Sequence, residues 1–369
     1  MNVFPYKEWE AISAREAGYS VADYNAIVNW ANNAPNLTGL AVAVDGRMLF
    51  EWGNSRTNSR INSVRKAVTG ILCGILERRG LIDLDWTMGD LGIVDGGTAG
   101  ASNPDTPLNS LEQTATIEHC LWSSSAIYHR AAYETSTMDA TRPARISPEN
   151  PYRLPGEVYW YNNWDFNIVQ NIIHSIVSGT AFDAEIPESD IGTGIVSEAN
   201  GYFDLFAELG QIIGLEDWRR DDANYLSRPS DGRTMYPAWL VYASPRDMCR
   251  IGHLALNRGN WNGKQLYSPR YHDRMVTPSA SKATGVGWGY SWNTGLRADG
   301  SSSADTSASY IYRSGSGGQR IYVWPHNRTV IATQNDRRIT GSGTGISGLG
   351  SLLSIITGGG ASDDPGDED

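Results

Sequence analysis

Asn62-Ser63-Val64-Arg65-Lys66 opens a run in which Val68, Ile71, Leu72, Ile75 and Leu76 fall at i, i+3, i+4, i+7 and i+8. That spacing predicts an amphipathic helix stopping at about Gly80, a natural C-terminal residue. Ser63 and Lys66 are three apart, so at the helix start they share one face about a turn apart. A serine hydroxyl is a poor nucleophile without an adjacent base. A lysine that is desolvated or lies near other cations loses its proton near neutral pH and serves as that base. The free N–H groups of a helix N-terminus favour the negative charge that develops. Ser-x-x-Lys is short, and by spacing alone it more often decorates a surface. The chain has four lysines, yet a second copy stands at Ser279-Ala280-Ser281-Lys282. That copy follows Pro278 and runs into Gly-containing loop sequence with no apolar face, so only the first heads a helix.

Working outward, the residues before this stretch read as an irregular arm (1–19), a helix (21–34) and two apolar runs, Thr38–Val44 and Arg47–Trp52. The runs flank Asp45-Gly46, a strong hairpin signal. After the serine helix come a Gly-rich loop (Asp95–Gly100), a short helix (Thr116–Trp122), a polar, Pro-containing loop (128–155), and a helix over Tyr161–Ser178. Another helical patch covers Tyr202–Leu215. Ser244-Pro245-Arg246-Asp247 is a helix start, with Ser as cap and Pro at the first position. From Val286 the pattern turns to strands: Gly287–Trp292, Ser309–Arg313, Arg320–Trp324 and Thr329–Thr333. A closing helix (345–357) and a flexible acidic tail (358–369) follow. The order predicts an α+β fold. An antiparallel sheet formed from N- and C-terminal strands is flanked by helices, and a mainly helical lobe stands beside it with the site in the cleft. One domain over 20–357 is expected, with an α/β lobe at about 20–62 and 240–357 and a helical lobe at about 63–239.

Forty per cent apolar residues in a chain of 369 support a large core. The net charge is −11, and five of the acids fall in the last seven residues, so the folded part is only mildly acidic. This argues against nucleic-acid and anionic-membrane partners. Three cysteines in apolar stretches, Cys73, Cys120 and Cys249, give no disulfide framework and read as buried small hydrophobes. The first residues show no basic region followed by an apolar one, and no 18-residue apolar run occurs, which reads as a cytoplasmic protein. The six histidines have no metal-ligand spacing, and neither a Gly-x-Ser-x-Gly elbow nor a Walker-type loop is present, so no cofactor is expected.

Two stretches offer partners for the Ser63–Lys66 pair. In Tyr161-Asn162-Asn163, a tyrosine near an ammonium ionises more easily and can act as general base or acid. Asn163 can fix the lysine through its carbonyl oxygen. Against this, tyrosine in an aromatic-rich segment is often simply core. In Arg313-Ser314-Gly315-Ser316-Gly317-Gly318-Gln319, small residues beside a strand let a substrate come close, and an N–H there can face an oxyanion. The competing reading is a hairpin turn.

Taken together, Ser63-x-x-Lys66, Tyr161-x-Asn163 and the Gly-rich segment near 315 resemble the serine β-lactamase/penicillin-binding-protein superfamily. Tyr-x-Asn in second place looks like its class C β-lactamase, peptidase and esterase branch. Arg79-Gly80-Leu81-Ile82-Asp83-Leu84-Asp85, Leu154-Pro155-Gly156-Glu157 and Ser244-Pro245-Arg246-Asp247 are also similar. Gly315-Ser316-Gly317-Gly318-Gln319 is similar to the 6-aminohexanoate-dimer (nylon-oligomer) hydrolases. The resemblance spans residues 20–355. It implies Ser63 as acyl-accepting nucleophile, Lys66 as its base, Tyr161 as proton donor to the leaving group and activator of water, and Asn163 as holder of Lys66. It also implies an oxyanion hole from the N–H of Ser63 and one near Gly315 or Ser316. The Lys-Thr-Gly of true β-lactamases is absent. Arg313-Ser314-Gly315 or Tyr312-Arg313-Ser314 stands there, and Arg313 can replace the lysine charge that binds a substrate carboxylate. The resulting expectation is a cofactor-free serine hydrolase of small esters or amides. An acyltransferase on the same fold and a non-catalytic ligand-binding protein are the alternatives.

Overall fold

The computed structural model describes residues 3–98, 100–101, 105–184, 186, 201–220, 225–227, 232–279, 287–295 and 310–357. The expected acidic tail (358–369) and the Ala280–Lys282 part of the second Ser-x-x-Lys lie outside the described residues.

Helix α1 (Val21–Asn33) begins at a capping box, Ser20 and Asp23 each accepting the other's backbone N–H. Strands β1 (Gly39–Val44) and β2 (Arg47–Gly53) join through Asp45 and Gly46, at φ 50° and 79°. Two positive φ values make the turn whose twist matches antiparallel strands. The arm before α1 is not wholly irregular. Ala11 bridges Met48 of β2 in parallel, and Trp9 and Ile12 are buried.

The C-terminal part supplies β3 (Gly287–Trp288), β4 (Asn293–Thr294), β5 (Ile311–Gly315), β6 (Gln319–Trp324) and β7 (Thr329–Gln334). The seven strands form one antiparallel sheet in the order β2-β1-β7-β6-β5-β4-β3. Strands from the two ends of the chain therefore meet at β1 and β7, from Gly39 opposite Gln334 to Val44 opposite Thr329. The expected strand Gly287–Trp292 is instead a tight reversal. Trp288 pairs with Asn293, Gly289 N–H bonds to Trp292 O at 2.9 Å, and Ser291 has φ 61°. Alternating aromatic residues there imitate a strand, but all are buried around the turn.

Strand alternation divides the core between the two faces of the sheet. Ala41, Ala43, Ile321, Val323, Val330 and Ala332 face the larger cluster. That cluster includes α5 (Pro245–Leu256), started by the Ser244 cap and Pro245. Leu40, Val42, Tyr312, Tyr322 and Ile331 face the other cluster, with α1 and the closing helix α6 (Leu349–Thr357). The helices α2 (Arg65–Arg78), α3 (Trp164–Ser178) and α4 (Gly201–Ile213) pack on one another. Helix α2 is buried from Arg65 to Leu76, on all sides, and so is not half-exposed as its spacing suggested. A helix over Pro269–Val276 carries the same Ser-Pro start as α5, with Ser268 capping Tyr271 N–H, and sequence reading overlooked it. Cys73, Cys120 and Cys249 are buried and unpaired, and no described helix is long and apolar enough to cross a membrane.

Candidate active site

The chain enters the site from Ser59–Arg60, a two-residue strand paired with Tyr242–Ala243. Asn62 then adopts φ 48°, and Asn62–Val64 forms a single 3₁₀ turn ahead of α2. Asparagine tolerates this left-handed conformation better than most residues. The turn delivers Ser63 to the head of α2, where side chains three residues apart share one face. Lys66 Nζ lies 3.2 Å from Ser63 Oγ and also hydrogen-bonds Tyr161 OH. Ser63 is 8% exposed and Lys66 is fully buried. Nζ sits 4.1 Å from the Tyr161 ring centroid and 4.9 Å from that of Phe166.

Tyr161 precedes α3, whose start is three residues later than expected. Asn162 explains the delay: its Oδ1 accepts Asp165 N–H at 2.9 Å and its Nδ2 donates to Trp160 O. The phenol is thus held on a loop, free of helix geometry.

Strand β5 faces Ser63 with alternate residues, which settles its register. Tyr312 belongs to the far-side core, whereas Arg313 and Gly315 point to the nucleophile turn. Arg313 donates from Nε to Ser63 O at 3.0 Å, from Nη1 to Asn293 Oδ1 at 2.9 Å, and from Nη2 to Tyr161 OH. It is 1% exposed, with all three nitrogens engaged inward. This corrects the expectation that Arg313 stands in for a carboxylate-binding lysine. At Gly315 a Cβ would lie 2.6 Å from Ile61 O and 3.0 Å from Ser63 N. Only glycine lets the strand end abut the nucleophile's backbone. Ser316 O accepts from Asn62 Nδ2 at 2.6 Å, and Ser316 Oγ accepts from Arg337 Nη2 at 2.9 Å.

Asn163 departs from its expected role. Its Nδ2 donates to Tyr133 O, and its Oδ1, the group expected to hold Lys66, has no hydrogen-bond partner. The amide is drawn to a carbonyl that the positive φ of Tyr133, 61°, turns toward it. Tyr133 itself was not foreseen. Its hydroxyl donates to Asn62 Oδ1 at 2.9 Å and accepts from Arg60 Nη1 at 3.3 Å. Asn62 adjoins the nucleophile and was legible on that ground. Nothing in the 128–155 composition marks Tyr133.

The surroundings are cationic. Arg65 donates to Gln170 Oε1 at 2.6 Å and Asn167 Oδ1 at 2.9 Å, both neutral, and burial lowers its pKa. Among the described residues no carboxylate forms a salt bridge with Arg65 or Arg313. The Asp165 carboxyl is buried beneath the site, accepting from Ser125 Oγ at 2.5 Å, and burial pushes it up to about 7. Clustered cations in a low dielectric favour a neutral lysine, and the Arg313 guanidinium on the phenol oxygen favours its anion. The arrangement can therefore hold a base against a hydroxyl. Among the described residues no group of His, Cys, Asp and Glu is arranged to hold a metal.

No protein-family model matches the sequence, and neither does any curated protein. Solved structures do. One, assigned as a 6-aminohexanoate-dimer hydrolase from Bacillus anthracis, shares 18% identity and covers 96% of this chain and 88% of its own, with TM-score 0.57. Another, assigned as a β-lactamase from Bacteroides dorei, shares 13% and covers 92% and 98%, with TM-score 0.59. A penicillin-binding protein homologue from Pyrococcus abyssi shares 16% and covers 91% and 75%, with TM-score 0.53. With the antiparallel sheet closed by both chain ends and the helical layer beside it, these similarities show that the chain has the fold of the serine β-lactamase/penicillin-binding-protein superfamily.

Proposed function

We propose that the chain is a serine hydrolase that cleaves an ester or amide of a small organic substrate through an acyl-enzyme on Ser63. The observation that carries this reading is the buried Lys66 Nζ shared between Ser63 Oγ and Tyr161 OH. Lys66, neutral, takes the hydroxyl proton as Oγ bonds to the carbonyl carbon. The oxyanion meets the N–H of Ser63 and one at Gly315 or Ser316, a reading supported by the close approach of Gly315 to Ser63 N. The carbon–leaving-group bond then breaks, and Tyr161 passes the proton from Lys66 to the departing oxygen or nitrogen. Tyr161, again a phenolate, deprotonates a water that attacks the acyl ester, and that proton returns through Lys66 to Oγ as it leaves, restoring the neutral lysine and the phenolate. Arg313 stabilises the phenolate throughout.

4-Nitrophenyl butyrate tests this. A burst of one 4-nitrophenolate per protein is expected, with one butyryl group on Ser63 by intact mass, both absent in Ser63→Ala. Failure of every acylating probe to label Ser63 would refute the proposal.

A further inference from the structure

Resting on the hydrolase reading, we infer that Arg65 is a positioning residue that acts through Lys66: its buried positive charge, left without a counterion, keeps the neighbouring lysine a base. Arg65 is the first residue of α2 and Lys66 the second. They are 1% and 0% exposed. Arg65 reaches across to α3, where Nη1 donates to Gln170 Oε1 at 2.6 Å and Nη2 to Asn167 Oδ1 at 2.9 Å. Its Nε has no hydrogen-bond partner, and among the described residues it forms no salt bridge.

Three costs meet at this residue. A buried charge without a counterion loses hydration that two amides only partly replace. A cation in the first turn of a helix opposes the helix dipole. A cation close to a lysine works against protonation of that lysine. Packing alone asks for none of these, since a methionine fills much the same space. Such costs, gathered beside a reacting group, point to the group they act on. The anchors carry the argument further. Gln170 and Asn167 accept through amide oxygens, where Glu and Asp would accept equally and cancel the charge. Both amides are oriented by other bonds. Gln170 Nε2 donates to Trp239 O at 3.1 Å, and Asn167 Nδ2 donates to Ala132 O at 3.0 Å. The guanidinium is thus fixed in place with its charge intact.

The neighbouring groups decide what this charge acts on. Lys66 bonds Ser63 and Tyr161, and Arg313 of β5 donates to the same phenol. Asp165, near the start of α3, is held by Ser125 and lies close enough to interact electrostatically with Lys66. Tyr202 of α4 bonds Thr69 and Gln170, and Tyr133 donates to Asn62 Oδ1. Arg313 touches the phenol and so bears on deacylation. The Arg65 side chain ends on α3, so its charge reaches Lys66 through space and bears on acylation.

Lys66 can be read directly. The chain has four lysines, so NMR of protein grown with lysine carrying a carbon-13 label at Cε resolves few signals, and Lys66→Met identifies the one sought. Arg65→Met is expected to raise the titration midpoint of Lys66 by about 1 pH unit, and Arg65→Lys to leave it in place. Asn167→Asp keeps Arg65 and supplies the missing counterion, so it should raise the midpoint as well. It carries the test even where Arg65→Met weakens the fold. Both shifts should persist in an Asp165→Asn background. Their loss there would assign the effect to that carboxyl and overturn the inference, as would a midpoint that neither variant moves. With 4-nitrophenyl butyrate, the acid limb of kcat/KM, which reports acylation, should follow the Lys66 midpoint, and the value at pH 7 should fall about tenfold. A uniform loss at every pH would make Arg65 a structural tie between α2 and α3. Should no ester acylate Ser63, the hydrolase reading fails, while the NMR titration still decides whether Arg65 governs Lys66.

Discussion

Replacing Arg313 by methionine separates a catalytic role for its charge from a structural one. The change removes three donors, leaving Ser63 O, Asn293 Oδ1 and Tyr161 OH each short of a partner. A buried acceptor stripped of its partner costs about 1–3 kcal/mol. Against this, removing a buried guanidinium that has no carboxylate partner relieves a desolvation cost of several kcal/mol. The two terms are similar in size, so global stability is a poor readout. The phenol is a better one. A cation at hydrogen-bond distance gives up to about 5 kcal/mol at an effective dielectric near 20, and measured shifts beside one arginine are about 1–3 pH units. Losing Arg313 makes the Tyr161 anion harder to form. If that anion activates water, the acid limb of kcat, which reports deacylation, moves to higher pH by about 1–3 units. Activity at pH 7 then falls about 10- to 1000-fold and recovers as the pH rises. The assay is hydrolysis of 4-nitrophenyl butyrate from pH 5 to 10. A uniform loss at every pH, with the limb in its wild-type place, would refute the argument and reduce Arg313 to a brace.

Asp165→Asn should stabilise the protein at pH 8. The carboxyl is raised by burial from its ordinary 3.8 to about 7, so between those values the folded state keeps a proton that the unfolded state releases. Stability from this site is therefore lost as pH rises through that window, by a few kcal/mol. The amide still accepts from Ser125 without the charge. Urea denaturation should show the variant ahead at pH 8, with the gap closing by about pH 4; a gap independent of pH contradicts this. Gly315→Ala drives a methyl into Ile61 O and Ser63 N, backbone atoms that move only with the nucleophile turn. Acylation of Ser63 should slow about 100-fold with circular dichroism unchanged. An unaltered burst rate would remove Gly315 from the site.

The sequence by itself determined those features that rest on local chemistry. Helix periodicity behind Ser63, the Asp45-Gly46 turn and the Ser-Pro start of α5 are written in residues a few positions apart, where sterics and capping act without the rest of the chain. The α+β order followed from them. So did the pairing of Ser63 with Lys66, because residues three apart at the start of a helix share one face. Tertiary structure decided what depends on distant groups. Arg313 looked available to a substrate, but it spends its donors on Tyr161, Asn293 and Ser63 because β5 presents alternate residues to the turn. Asn163 was expected to reach Lys66 and binds Tyr133 O, a partner 30 positions earlier whose backbone turns through a positive φ that no composition reveals. Trp288-Gly289-Tyr290-Ser291-Trp292 alternates like a strand, yet folds back on itself because burial on every side rewards aromatic residues in a turn as well as in a sheet. Arg337 gained its place only when the end of β7 came beside Ser316, 21 residues away along the chain.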